Sequence, residues 1–183
     1  MPGHTLWLLR HAKTVADPPP GGDDFDRVLA PRGRRDATAL AELIGPDGLG
    51  LGSEAAAPQV AFVSPAVRTR ATADLVLGSL TDPPTVVYPD DLYGAEPNDV
   101  LAHLAALPDD VHSALVIGHN PTTQALALGL IPVLDKDGRD TVVRRGIPTC
   151  ALAVYELLID TWSDLDAGTG RLLALITPPF GEE

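Results

Sequence analysis

Cysteine and long apolar stretches are both scarce in this chain of 183 residues. Cys150 is the single cysteine, which excludes an internal disulfide framework and a metal site built from several cysteines. No apolar run reaches the ~18 residues that a membrane-spanning helix needs. The N-terminus also lacks a cationic stretch followed by an apolar run of signal-peptide length. These absences predict a soluble, cytoplasmic protein with no membrane partner.

Positive charge is scarce as well. The chain has 13 Lys and Arg against 25 Asp and Glu, a formal net charge of -12. Such a balance argues against nucleic acid or an anionic membrane surface as the main partner. A small anion can still bind where the few cations converge. The length predicts one domain spanning residues 1–183, long enough to bury a core, and the sequence leaves the oligomeric state open.

Short apolar runs alternate with helical patterns along most of the chain. Thr5 to Leu9 is continuously apolar, as expected for a strand buried on both faces. Arg32 to Ile44 carries apolar residues at helical spacing and is followed by Gly45 and Pro46. This alternation predicts an α/β fold, a three-layer α/β/α sandwich with a mostly parallel central sheet. The last two apolar runs have only a polar loop between them, which predicts a C-terminal antiparallel hairpin. Loops are predicted at Pro18–Asp24, Gly45–Pro58 and Asp135–Gly146.

Basic residues follow three of the predicted strands. Arg10 and His11 follow the first, Arg68 comes four residues after Ser64 at the end of the second, and His119 follows the fourth. Ligands of open α/β sheets bind beyond the carboxyl ends of the strands, so these four side chains should meet at one edge. Ser64 and Asn120, each followed by proline, are predicted to cap the next helix. Arginine forks and helix N-termini suit a tetrahedral phosphoryl group, and a neutral histidine can attack its phosphorus.

Three motifs in this order resemble those of a known family. LLRHAKT is similar to the nucleophile motif of the histidine phosphatase superfamily, the phosphoglycerate mutase-like group. SPAVRTRATA resembles its second arginine motif and VIGHNP its second histidine motif. The alanine and lysine after the histidine, the short chain and the stretch DRVLAPRGRRDA look most like the SixA-like phosphohistidine phosphatases.

The resemblance implies a hydrolase of phosphoric monoesters or phosphoramidates that needs neither metal nor cofactor. His11 would be the nucleophile and carry a phosphohistidine intermediate, while Arg10, Arg68 and His119 would hold the phosphoryl oxygens. The substrate it implies is a phosphorylated protein carrying phosphohistidine. Two alternatives stay open: a phosphatase for small phosphate esters, such as sugar or nucleotide phosphates, and a phosphate-binding module with weak catalysis.

The proton donor is the least defined part of the predicted site. Family members usually place a glutamate after the third strand, where this chain has Asp91, with Glu96 as the alternative. A phosphoramidate needs little help from an acid, because its leaving nitrogen is readily protonated. The chain has several other basic residues outside the three motifs or at their edge. Lys13, Arg144 and Arg145 have no settled role, and exposure is predicted for three further histidines: His4, His103 and His112.

Overall fold

The computed structural model describes residues 3–50 and 56–180. Within these residues the chain forms six strands and five helices: β1 (His4–Arg10), α1 (Pro31–Ile44), β2 (Val60–Val63), α2 (Val67–Leu77), β3 (Thr85–Val87), α3 (Pro97–Ala105), β4 (Ser113–Gly118), α4 (Thr122–Gly129), α5 (Lys136–Arg145), β5 (Leu152–Leu157) and β6 (Gly170–Ile176). Part of the predicted loop Gly45–Pro58 lies outside the described residues. None of the helices in the described ranges is both long and apolar enough to cross a membrane.

The strands form one sheet in the order β3-β2-β4-β1-β5-β6. The neighbours from β3 to β1 pair in parallel, whereas β5 runs antiparallel to β1 and β6 antiparallel to β5. The predicted mixed sheet with a C-terminal hairpin is therefore confirmed. Because β1, β4 and β2 are adjacent and parallel, their carboxyl ends lie side by side at one edge.

Successive side chains of β1 supply two separate cores. Leu6 and Leu8 pack on one face of the sheet, and Trp7 and Leu9 on the other, all at most 2% exposed. This follows from the two-residue period of a strand. Helices α1 and α2 cover the face of Trp7, while α3, α4 and α5 cover the face of Leu6. The predicted three-layer sandwich is confirmed.

Helix α1 docks directly on the segment that follows β1. Its first residue is Pro31, and it ends before Gly45, whose φ of +70° suits glycine. A Cβ atom added at Gly33 would lie 2.0 Å from the carbonyl oxygen of Lys13. Only glycine therefore allows this close approach. The same carbonyl accepts a hydrogen bond from the Ala30 N–H at 2.9 Å, which fixes the backbone just beyond His11.

The loop predicted at Asp135–Gly146 is wrong, because this segment forms helix α5. The Asp135 carboxylate accepts a hydrogen bond from the Gly138 N–H at 2.9 Å and caps the helix, so the predicted turn is its first turn. Gly146, with φ +62°, ends it. Val142 is fully buried. One buried contact and good caps are enough for a short helix whose other side chains are mostly polar.

The predicted exposure of three histidines is also wrong in part. His4 belongs to β1 and is only 4% exposed. Its ring packs edge-on against Trp162, with 5.2 Å between the ring centroids. His103 and His112 are half-buried.

Candidate active site

The ends of three parallel strands assemble the candidate site. Leu9 on β1 and Val63 on β2 both pair with Ile117 on β4, so the residues that follow these three positions are neighbours. The rings of His11 and His119 lie 5.2 Å apart between centroids. Arg10 and Arg68 both act electrostatically on each of these histidines. The structure therefore brings together the four residues that sequence reasoning placed at this edge.

His11 is held in one tautomer. Its Nδ1 lies 2.8 Å from the carbonyl oxygen of Ala12. A carbonyl oxygen can only accept, so Nδ1 carries the proton and Nε2 keeps its lone pair. The His11 N–H donates to the Gly118 carbonyl oxygen at 3.1 Å, and the residue is 9% exposed. The ring is thus fixed with its basic nitrogen free.

Backbone contacts from the start of β5 hold the same segment from the other side. The Cys150 N–H donates to the carbonyl oxygens of Arg10, at 3.1 Å, and His11, at 3.0 Å. Cys150 lies in the turn before β5, with φ +65°. It is fully buried, and burial raises the pKa of its thiol to about 12. The cysteine is therefore a neutral packing residue.

Both histidines of the site have pKa values well below physiological pH and are therefore neutral at that pH. Burial lowers the pKa of His11 to about 4, with further contributions from the positive charges of Arg68 and Arg10. Burial likewise lowers the pKa of His119 to about 3, followed by the effects of His11 and Arg68. Neutral imidazole is the form in which histidine can act as a nucleophile.

The two predicted arginines are both partly or fully removed from solvent. Arg10 donates from Nη1 to the Ile147 carbonyl oxygen at 3.0 Å, and its buried Nε has no partner among residues 3–50 and 56–180. Burial lowers the pKa of Arg10. Arg68, in the first turn of α2, is 6% exposed. Buried guanidinium groups need anionic partners, so this edge favours an anion.

Three site residues were not predicted from the sequence: Asp24, Arg27 and Tyr93. Arg27 and Tyr93 both contact the carboxylate of Asp24. Asp24 Oδ2 accepts hydrogen bonds from Arg68 Nη2 at 2.9 Å and from the Tyr93 hydroxyl at 3.0 Å. Arg27 donates to Asp24 Oδ1 at 2.9 Å and also bonds the Val15 carbonyl oxygen. The hydrogen bond from Arg27 is the largest cause that lowers the pKa of Asp24, to about 2. Arg27 lies in the stretch DRVLAPRGRRDA, which was the one available signal for it.

Neither Ser64 nor Asn120 caps a helix, contrary to prediction. Helix α2 begins only at Val67, and α4 begins at Thr122, after a cis peptide between Asn120 and Pro121. The Asn120 Nδ2 donates to the Ile147 carbonyl oxygen at 3.1 Å. Ser64 Oγ lies 2.7 Å from His119 Nε2. Both side chains support the site instead of a helix end.

The two candidate proton donors differ in their position relative to the four-residue cluster. The carboxylate of Asp91 is 63% exposed and lies 3.0 Å from His103 Nε2. None of its contacts in the described ranges joins it to the residues at the strand ends. Glu96 caps α3 and lines a cavity of about 110 Å³ together with His119.

The remaining basic candidates are two exposed residues and one arginine that is bound elsewhere. Lys13 and Arg144 are exposed. Arg145 donates to the Leu175 carbonyl oxygen at 3.0 Å and to the Thr177 hydroxyl at 2.6 Å. These contacts attach the end of α5 to β6.

The arrangement suits a tetrahedral anion beside a neutral imidazole. Arginine N–H groups can bind phosphoryl oxygens in pairs, and His11 Nε2 offers a lone pair next to them. Within residues 3–50 and 56–180 no group of three or more His, Cys, Asp or Glu side chains is placed to hold a metal ion. Fold and site together have the features that the three sequence motifs predicted.

Comparison with known proteins identifies the family. No protein-family model matches the chain. An uncharacterised protein of Mycobacterium tuberculosis is 35% identical over 174 residues, which cover 93% of this chain and 99% of that protein. A solved structure from Nakamurella multipartitia, provisionally named phosphohistidine phosphatase SixA, superposes with a TM-score of 0.76 at 31% identity and covers 97% of both chains. A second structure of the same provisional name, from Agrobacterium tumefaciens, has a TM-score of 0.75 at 28% identity and covers 97% of this chain and 99% of that one.

The chain belongs to the histidine phosphatase superfamily, and within it to the SixA-like group. The resemblance drawn from the three motifs is confirmed. As a member of this superfamily the protein is a phosphatase.

Proposed function

We propose that the protein hydrolyses phosphoramidates, with phosphohistidine on a protein as the substrate class, through a covalent phosphohistidine on His11. The tautomer of His11 carries the proposal, because the Nδ1 hydrogen bond to the Ala12 carbonyl leaves Nε2 free to attack phosphorus. Its low pKa keeps that nitrogen unprotonated at neutral pH.

The reaction proceeds in two displacements. In the first, His11 Nε2 forms a bond to phosphorus, the bond from phosphorus to the leaving nitrogen breaks, and that nitrogen takes up a proton. In the second, water attacks the phosphorus, the bond to Nε2 breaks, and inorganic phosphate leaves with His11 restored. Arg10, Arg68 and His119 hold the phosphoryl oxygens and offset the charge that builds up on them. No step of this proposal uses a metal ion.

The position of Asp91 favours a phosphoramidate over an ester. Asp91, the proton donor predicted from the sequence, contacts His103 and not the cluster. A leaving nitrogen is readily protonated by solvent, so this substrate class does not require the acid. The provisional names of the Nakamurella and Agrobacterium structures agree with this choice.

A phosphoenzyme trap tests the mechanism. The protein is incubated with phosphoramidate in the presence of a chelator and quenched in base, where phosphohistidine is stable. We expect a phosphoenzyme that acid removes, and none in His11→Ala. His112→Gln is the matched control, since this histidine lies at the opposite end of the sheet. A phosphoenzyme that persists in His11→Ala, or turnover that the chelator abolishes, would overturn the proposal.

A second function, hydrolysis of small phosphate esters, is favoured by the cavity beside His119. Apart from Glu96 and a few other polar groups its lining is mainly apolar, and a carboxylate there can protonate an alkoxide. The two functions separate by substrate and variant. If turnover of an aryl phosphate rivals that of phosphoramidate, and Glu96→Gln lowers only the former while Asp91→Asn lowers neither, the ester function is the correct one.

A further inference from the structure

A buried serine contacts the second histidine of the site, where the sequence predicted only a helix cap. Ser64 immediately follows β2, and the pairing of Val63 with Ile117 sets it beside the end of β4. The Ser64 N–H donates to the Ile117 carbonyl oxygen at 3.0 Å, and its own carbonyl oxygen accepts from the Thr69 hydroxyl at 2.6 Å. The backbone of Ser64 is thus fixed on both sides. Its hydroxyl then lies 2.7 Å from His119 Nε2.

The available hydrogen-bond partners determine whether Ser64 or His119 donates the hydrogen bond between them. Ser64 is fully buried, so bulk water does not reach its hydroxyl. His119 Nε2 is the one partner of that hydroxyl within the described residues. If Nε2 carried the proton and donated to Ser64, both the serine proton and the lone pair on Nδ1 would lack a partner. If Ser64 donates to Nε2, a single group, the N–H at Nδ1, is left over. Each buried polar group without a partner destabilises the folded protein, so the second arrangement, which leaves fewer of them, is preferred.

The leftover group matters for the reaction. His119 Nδ1 is buried and has no partner in the part of the chain that the structure describes. The His119 ring lies beside the His11 ring, with 5.2 Å between centroids. An N–H there can donate to a phosphoryl oxygen, whereas a lone pair would repel it. The tautomer of His119 therefore decides whether this residue attracts or repels the substrate.

We propose that Ser64 is a positioning residue, which donates its hydroxyl proton to His119 Nε2 and so presents the Nδ1 N–H to the phosphoryl group. The inference rests on the proposed function of His119. Ser64 touches no reacting atom and acts through the imidazole. The low pKa of His119 supports the argument, because a neutral ring has a tautomer to be selected.

The tautomer itself is measurable without any enzymatic assay. In a uniformly ¹⁵N-labelled protein at pH 7, two-bond ¹H–¹⁵N spectra distinguish a protonated from an unprotonated ring nitrogen, and His119→Gln assigns the signals. We expect Nδ1 to be protonated and Nε2 unprotonated in the native protein, and a mixture of tautomers in Ser64→Ala. Protonation at Nε2 in the native protein would overturn the proposal, even if the phosphatase mechanism stands.

Kinetics provide the second measurement, with a matched serine as control. Ser113 is also buried, and its hydroxyl donates to the Ala57 carbonyl oxygen at 2.7 Å, at the opposite end of β4. We expect Ser64→Ala to slow phosphoenzyme formation roughly tenfold, the equivalent of one hydrogen bond, and Ser64→Thr to restore it. Ser113→Ala should keep the native rate although it loses a similar bond. Equal rates in both alanine variants would contradict a positioning role.

Discussion

Substitution of Asp24 by Asn should strengthen the binding of phosphate. The Asp24 carboxylate lies 2.9 Å from Arg68 Nη2 and occupies a hydrogen-bond donor that a phosphoryl oxygen needs. Its side chain is 54% exposed, so solvent screens the pair, and such exposed pairs are worth ~0–1 kcal/mol. Repulsion between the carboxylate and a bound dianion adds roughly 1 kcal/mol in a solvent-like dielectric. Asp24→Asn removes both the pairing with Arg68 and this repulsion. The Kd for orthophosphate should therefore fall roughly five- to thirtyfold.

Isothermal titration of the protein with orthophosphate at pH 7.5 measures the effect. Asn keeps the shape of Asp and its backbone carbonyl, which also accepts a hydrogen bond from Arg68. Asp23→Asn is the matched control for net charge, because that carboxylate caps the Phe25 N–H at 2.8 Å in the same loop. We expect its Kd to stay within about twofold of the native value. If Asp24→Asn binds phosphate no better than the native protein, the carboxylate orients Arg68 and does not compete with the substrate.

Three further predictions follow from the same contacts. Arg68→Gln should lower kcat/KM at least 100-fold, the usual loss of a group that stabilises transition-state charge, whereas Arg70→Gln should stay near the native value; equal losses would remove Arg68 from the site. In an NMR titration, the His11 ring should protonate near pH 4 and not near 6.5. Between pH 6.5 and 4 the His11 ring binds a proton in the unfolded state but not in the native state, so the free energy of unfolding should fall as the pH drops through this range. An NMR titration midpoint near 6.5 would contradict the buried, neutral ring. Gly33→Ala should lower the free energy of unfolding in urea by about 1–3 kcal/mol, because its Cβ would meet the Lys13 carbonyl at 2.0 Å, and an unchanged midpoint would show that α1 can move.

The sequence predicted the strands and helices whose apolar residues follow the spacing of a strand or a helix. Continuous apolar residues marked β1, and the buried positions Ala37, Leu40, Ala41 and Ile44 of α1 lie where the helical spacing placed them. Helix α5 was missed for the converse reason. Val142 is its one buried residue, so local capping and contacts with distant carbonyls hold a segment whose composition resembles a loop. Arg139 supplies such contacts, to the carbonyl oxygens of Leu128 and Ile131, both at 3.1 Å.

The residues of the site likewise include some that the sequence predicted and others that it did not. Arg10 and His11 lie at the end of β1, and His119 directly follows β4. Arg68 lies in the first turn of the helix after β2, so the positions of the strand ends were enough to bring the four residues together. Asp24 and Tyr93 are 69 residues apart and meet only because two loops fold over the same edge. No local pattern pairs them. Ser64 shows a different failure, since a serine before a proline suits a helix cap and a hydrogen bond to a histidine equally well.

The distribution of charge explains how a chain with a net charge of -12 can bind an anion. Arg10 and Arg68 lie beside two histidines that burial keeps uncharged, so the positive charge of the pocket comes from guanidinium groups alone. Asp24 partly neutralises this positive charge, and a phosphoryl dianion can replace its carboxylate with a higher negative charge. Exchange of one anion for another keeps the buried guanidinium group of Arg68 paired at every stage.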